Sequence, residues 1–256
     1  MLNVEIQWPS TKSFFVRLTS ATGHCLATAT AIIIRHAEDY FLVTNRHVVT
    51  GLDQTDNSTL LWPATPHTLT AELPRVDVIG HWEPMTIPLR SEEDQPLWFE
   101  HPVHGRRADM AAIPLPRNAH YDRFAYHLPA QHRVRLRPAQ ALSVVGFPFG
   151  DDQGLLFGVW VTGFIASEPK IGRDALPYFL IDSRTRPGMS GSAVIYHSMD
   201  MFQNVEGAMT MVSDNPHTEF LGLYSGRITS EADIGKVWRD DALLELVAAI
   251  PRTAQS

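Results

Sequence analysis

The stretch that decides the fold is SRTRPGMSGSAVI, residues 183–195. A charged, proline-broken loop runs into Gly188-Met189-Ser190-Gly191-Ser192. An alternating apolar run, Ala193-Val194-Ile195-Tyr196, follows at once. Glycines placed this way serve a tight turn through their positive φ angles. The same pattern suits a nucleophile, because a reacting carbonyl needs backbone N–H groups free to face it. The run after the serine reads as a strand, so Ser190 stands at the mouth of a β-structure.

Outward from this point the chain keeps one style. Short runs rich in Val, Ile, Thr and Phe are separated by Pro and Gly, which reads as many strands in a sandwich or in barrels. The expected strands in the first half are Phe14–Thr19, Leu26–Ile34, Tyr40–Thr44 and Met110–Leu115, with His36–Asp39 as a tight turn. Residues 51–100 read as strands with long surface loops, and 116–133 as a connection between halves. In the second half the expected strands are Ala141–Val145, Tyr178–Ile181, Ala193–Tyr196, Val205–Val212 and Phe220–Tyr224. Leu155–Ile165 reads as a bent strand pair because glycines interrupt it. Asp241–Ile250 reads as a helix, with an acid at its start and Pro251 after it. The expected fold class is all-β: two β units and a short C-terminal helix. The expected division is 1–125, 126–232 and a helical tail over 233–256.

Composition bounds the function. The formal net charge of −7 speaks against nucleic acid as a main partner, since phosphate binding wants a positive face. Arg133-Val134-Arg135-Leu136-Arg137 alternates as a strand with one polar face rather than as a basic patch. Cys25 is the only cysteine, so no intrachain disulfide forms and an oxidising compartment is not needed. The first residues lack a signal-peptide pattern, and no apolar run approaches a membrane span. A cytoplasmic protein without a membrane partner is therefore expected.

A serine hydroxyl is a poor nucleophile near neutral pH. It needs a base within hydrogen-bond reach, and the base needs a partner that sets its tautomer. Among twelve histidines, His47 alone follows a buried strand, in Thr44-Asn45-Arg46-His47-Val48-Val49. Asp109 precedes the apolar run Met110–Ile113, where an acid is costly unless paired, and an imidazole N–H would pair it. Taken singly, each residue also reads as structural: a histidine at a strand end, an aspartate in a turn.

Four segments, TNRHVV, ADMAAIPL, VVGFPFG and RPGMSGSAV, occur in that order. Together, over roughly residues 12–230, they resemble the chymotrypsin-fold, trypsin-like serine peptidases. The closest likeness is to bacterial disulfide-free and HtrA-type protease domains. The resemblance implies two packed antiparallel β-barrels with the site between them, and peptide-bond hydrolysis through an acyl-enzyme without a cofactor or metal. It implies His47 as general base, Asp109 as its orienting acid and Ser190 as nucleophile. It gives the oxyanion hole to the backbone N–H groups of Gly188 and Ser190. It also implies that Ser225 bonds the aspartate, and that Arg184, Thr185, Tyr224 and Gly226 border the substrate pocket. Tyr224 reads equally as a core aromatic.

The chain departs from the family in places. Met189 stands where secreted trypsins carry an acid, which removes the ion pair formed on zymogen cleavage. Arg184 stands where trypsins place an acid in the pocket floor, so trypsin-like preference for basic residues has no support. An inward Arg184 would favour an acidic side chain. An outward one would be solvated, which avoids an unpaired buried charge. No PDZ-like segment follows the last strand, so the expected partners are a protein or peptide substrate and a regulatory protein.

Other readings fare less well. An α/β-hydrolase wants a strand-to-helix turn at its serine and the chain order Ser, acid, His, whereas a strand-like run follows Ser190 and both His47 and Asp109 precede it. His101-Pro102-Val103-His104 lacks a convergent third metal ligand. A latent chymotrypsin-fold binding module remains the alternative to an enzyme.

Overall fold

The computed structural model describes residues 5–75, 77–150, 155–212, 215–229 and 231–251. The first half supplies β1 (Ser13–Thr19), β2 (Cys25–His36), β3 (Asp39–Thr44), α1 (Arg46–Thr50), β4 (Thr68–Pro74) and β5 (Trp82–Pro88). It continues with β6 (Phe99–Glu100), β7 (Ala111–Leu115) and β8 (Ala125–Leu128). These strands form one curled sheet in the order β5-β4-β1-β2-β3-β7-β6, with β8 added parallel to β2. The second half supplies β9 (Ala141–Gly146), β10 (Val159–Ile165), β11 (Tyr178–Asp182) and β12 (Ala193–Ser198). A hairpin of β13 (Met201–Gln203) and β14 (Met209–Met211) follows. Then come β15 (His217–Arg227), β16 (Ile234–Arg239) and α2 (Asp240–Ala248). Six of these strands close a barrel in the order β10-β11-β16-β15-β12-β9.

The expected all-β, chymotrypsin-like arrangement is present, with one closed barrel and one curled open sheet. The opening has a local cause. β5 carries Pro84 and Pro88, which have no N–H to give to a further strand, and β6 has only two residues.

Hydrophobic patterning explains the packing. β2 carries a run of alanine and β-branched residues that is buried on both faces. One face packs with β1, β3 and β7 inside the first sheet. The other meets the barrel: Ile32, Ile34, Phe41 and Val43 pack with Val145, Ala193, Ile195 and Leu223. Helix α2 seals this interface with Ala242, Leu243, Leu246 and Val247. Burying such a side chain is worth about 1.5–3 kcal/mol, so the apolar seam holds the two halves in fixed register beneath the site.

Several expectations need correction. Arg133–Arg137 is not a strand; only Val134 makes an isolated bridge, to Asn204. The Arg133 and Val134 N–H groups donate instead to Glu219 Oε1, at 2.7 and 3.0 Å, so they are lost to a ladder. The strand expected over Val205–Val212 is a hairpin turn followed by β14, because Asn204 Oδ1 accepts the N–H groups of Glu206 and Ala208. Leu155–Gly158 does not pair as a strand; Gly158 N donates to Ser10 O at 2.8 Å. Within 116–133, the connection contains β8, which docks on β2 with Ala125, Tyr126 and Leu128 buried. The helix begins at Asp240 and ends at Ala248. Among the described residues, no helix is long and apolar enough to cross a membrane.

Candidate active site

His47 lies in α1, one turn after β3, rather than on the strand itself. Asn45 turns the chain from strand to helix with extended backbone, and Gly51 ends the helix at φ 72°. Asn45 is fully buried and its Nδ2 donates to Asp109 O at 2.7 Å. Asp109 Oδ1 accepts the His47 N–H at 2.8 Å, and Oδ2 faces His47 Nδ1 at 2.7 Å. The carboxylate thus grips both the backbone and the ring of His47. On the ring's other side, Nε2 lies 3.0 Å from Ser190 Oγ. A proton on Nδ1, donated to Asp109, leaves Nε2 as an acceptor for the serine hydroxyl.

Burial pushes the Asp109 carboxyl up. The His47 charge and the hydrogen bonds from His47 and Ser225 outweigh it and hold the group below its usual range. Ser225 Oγ donates to Asp109 Oδ2 at 2.6 Å. Gln54 braces the same serine: its Nε2 donates to Ser225 O at 3.3 Å, and its Oε1 lies 3.2 Å from Ser225 Oγ.

The loop before Ser190 is held by its backbone. Phe149 N donates to Pro187 O at 2.6 Å. In a trans peptide the C=O and the next N–H point in opposite directions, so the Gly188 N–H faces away from Phe149. Gly188 has φ 93°, and a Cβ there would overlap the Phe147 carbonyl. Among the described residues, neither the Gly188 nor the Ser190 N–H donates to another group of the chain. Two adjacent free donors beside a hydroxyl can hold an anionic oxygen. Met189 is fully buried in the barrel core with Val194 and Tyr224, so it anchors this loop by packing rather than by an ion pair.

Thr30 of β2 is a second anchor that sequence reading missed. Its N–H donates to Ser190 O at 2.9 Å and its hydroxyl to Gly188 O at 2.9 Å. The same hydroxyl accepts the Phe147 N–H at 3.2 Å. The available signal was a threonine within the apolar run LATATAIII. Gln54 had no such signal, since it sits in a polar loop far from Ser225 in sequence.

A cavity of about 470 Å³ opens at Ser190 and His47, walled by Leu61, Trp62, Phe149 and Pro187. None of Arg184, Thr185, Tyr224, Ser225 and Gly226 lines this cavity. Arg184 is exposed to solvent. Thr185 is fully buried, and its hydroxyl is hydrogen-bonded to the Tyr224 hydroxyl. Gly226, at φ 106°, lies beside the Gln54 side chain. Away from the cleft, His101 Nδ1 accepts the N–H groups of Val103 and His104, and Nε2 faces Glu245 at 3.3 Å. His101 and His104 therefore serve the loop and α2.

The arrangement is that of a proton relay ending in a hydroxyl. Comparison with curated proteins gives no match. Two solved structures share the fold at low identity. The thermostable serine protease AL20 from an extremophilic microorganism is 12% identical, with 95% of this chain and 98% of that chain covered at a TM-score of 0.54. The protease Anisep from Arthrobacter nicotinovorans is 11% identical, with coverage of 91% and 92% and a TM-score of 0.51. The active form of the Rv3671c protease from M. tuberculosis is 14% identical, with coverage of 97% and 84% and a TM-score of 0.49. The family model for the trypsin-like peptidase domain matches residues 29–200, which is more than half of the sequence. The chain therefore belongs to the trypsin-like peptidase family, in the chymotrypsin-fold superfamily of serine peptidases.

Proposed function

We propose that this chain is a serine endopeptidase acting through His47, Asp109 and Ser190. The observation that carries the reading is the continuous contact from Asp109 Oδ2 to His47 Nδ1, at 2.7 Å, and from His47 Nε2 to Ser190 Oγ, at 3.0 Å. Ser190 Oγ attacks the substrate carbonyl carbon as its proton passes to His47 Nε2. The carbonyl oxygen becomes an anion and accepts the N–H groups of Gly188 and Ser190. The C–N bond then breaks as His47 returns the proton to the leaving amine. Water, activated by the same imidazole, releases the acyl group from Ser190. Asp109 stays ionised throughout and stabilises the imidazolium.

Thr30 and Met189 support this reading, because they hold the Gly188–Ser190 loop with its donors free before any substrate arrives. We assign His47 and Asp109 to a unit over residues 1–125 and Ser190 to a unit that starts at 126; β16 (Ile234–Arg239) belongs to its barrel, so among the described residues of the expected helical tail over 233–256 only α2 (Asp240–Ala248) is helical. Within the superfamily, a place near the disulfide-free, HtrA-type domains is supported by the unpaired Cys25 and by the four motifs.

The test is intact mass after treatment with a fluorophosphonate. One adduct on the wild-type chain and none on Ser190→Ala is expected. A folded wild-type chain that takes no adduct overturns the proposal.

A further inference from the structure

Tyr224 does not border an open pocket; it fills one. Its backbone brackets the nucleophile loop, since Tyr224 N donates to Ser192 O at 2.9 Å and Tyr224 O accepts the Gly191 N–H at 3.0 Å. Its side chain runs from there into the barrel, where the residue is only 2% exposed. The ring packs with Met189, Val194 and Val237. Its hydroxyl meets the buried hydroxyl of Thr185, so both polar ends are satisfied inside the protein. Gly235 on β16 supplies the room: a Cβ there would stand 2.5 Å from Cε2 of Tyr224. The recess left by that glycine is thus occupied by the chain's own aromatic ring.

The place of this ring relative to the reaction follows from the site. An acyl group on Ser190 has its oxygen at the Gly188 and Ser190 N–H groups and its leaving nitrogen toward His47. We take its own side chain to turn to the remaining side, where Tyr224 N and O bond Ser192 and Gly191 and where Arg184–Pro187 lead into the nucleophile loop. The cavity that is open at Ser190 has Leu61, Trp62, Phe149 and Pro187 as walls, and none of Thr185, Tyr224, Ser225 or Gly226 lines it. The charged end of Arg184 lies in solvent and offers no partner inside.

We infer that Tyr224, locked by Thr185, is the specificity-determining residue, and that it restricts the residue before the scissile bond to a small side chain such as Gly, Ala or Ser. This inference rests on the reading of Ser190 as nucleophile. Displacing the ring would break the hydroxyl pair and empty the recess at Gly235, so a large side chain does not gain entry by induced fit. One misfitted group in an apolar pocket changes discrimination about 10–200-fold, which sets the size of effect to expect.

The experiment uses two peptidyl diphenyl phosphonates that differ only in an alanine or a phenylalanine side chain next to phosphorus. Each is reacted with the full chain, and the rate of adduct formation on Ser190 is followed by mass. The alanine probe is expected to react at least about tenfold faster. In Tyr224→Ala the phenylalanine probe is expected to gain at least about tenfold relative to the alanine probe. Tyr224→Phe keeps the ring and should keep the wild-type order. Faster labelling of the wild-type chain by the phenylalanine probe overturns the inference, as does an unchanged ratio in a folded Tyr224→Ala. The wild-type comparison decides whether or not the variants fold. Ethyl fluorophosphonate carries no side chain and separates the two readings. Labelling by it with the wrong probe order overturns the pocket inference alone. No labelling of Ser190 by any probe overturns the nucleophile reading and this inference with it.

Discussion

Ser225 Oγ and Asp109 Oδ2 lie 2.6 Å apart, and that same oxygen faces His47 Nδ1 at 2.7 Å. A hydroxyl from the barrel thus completes the coordination of a carboxylate from the other sheet. Asp109 is buried, so each donor that favours its charged form counts.

Replacing Ser225 by alanine should lower kcat by about 10–150-fold with little change in KM, because it removes one charge-assisted hydrogen bond worth about 1.5–3 kcal/mol. The sign of its pH effect follows from Asp109. The carboxyl is held below its usual range, so ionisation persists on acidification. Losing a donor raises the carboxyl toward its usual range. Steady-state kinetics on Ser225→Ala checks the first effect and titration of the Asp109 carboxyl by NMR the second; an unmoved carboxyl would show that the contact does not tune it.

Gly188→Ala tests the proposed oxyanion donors. At φ 93° an alanine is strained, and its Cβ would overlap the Phe147 carbonyl, so the peptide must turn. Loss of one donor typically costs about 10²–10³ in kcat. A circular dichroism spectrum like that of the wild type with kcat reduced to this extent is the expected result.

Thr30→Val removes the hydroxyl that bonds Gly188 O and Phe147 N while keeping the shape. Stability should fall by about 1–3 kcal/mol, since buried groups lose their partner. Activity should fall as well, because the loop that carries Gly188 loses its tie to β2. Denaturant melts and fluorophosphonate labelling rates measure the two consequences separately.

His132 makes stability depend on pH outside the site. Its ring donates to Asp240 Oδ2 at 2.8 Å, at the start of α2, and faces Glu219 Oε2 at 3.3 Å. The hydrogen bonds to Asp240 and Glu219 raise it from 6.5 to about 10. A raised histidine holds its proton in the folded state after the unfolded chain has released it. Its stabilisation is therefore complete below pH 6.5 and is lost as pH rises toward about 10. Partial exposure of the ring moderates the size of the effect. Thermal melts between these limits should fall with pH in the wild type and show a flatter dependence in His132→Asn.

Much of the site was legible because its residues announce themselves locally. Ser190 sits between glycines before an apolar run, His47 follows a buried strand, and Asp109 precedes another. Thr30 and Gln54 were not legible in the same way. Their partners, Gly188 and Ser225, are distant in sequence and are met only once the sheet and the barrel pack together. Arg133–Arg137 misled for a related reason. Its alternation is that of a strand, yet its N–H groups bond a buried glutamate that no local pattern reveals.

The sequence by itself determined the all-β class, the order of the motifs and the residue types able to relay a proton, because periodicity, turn chemistry and side-chain chemistry are local properties. Only the tertiary structure decided whether the Tyr224 ring faces the surface or is buried in the barrel core. A tyrosine on a strand before a loop is compatible with both. The choice was made by the space beside Gly235 and the hydroxyl of Thr185, which the chain brings to Tyr224 only when the barrel closes.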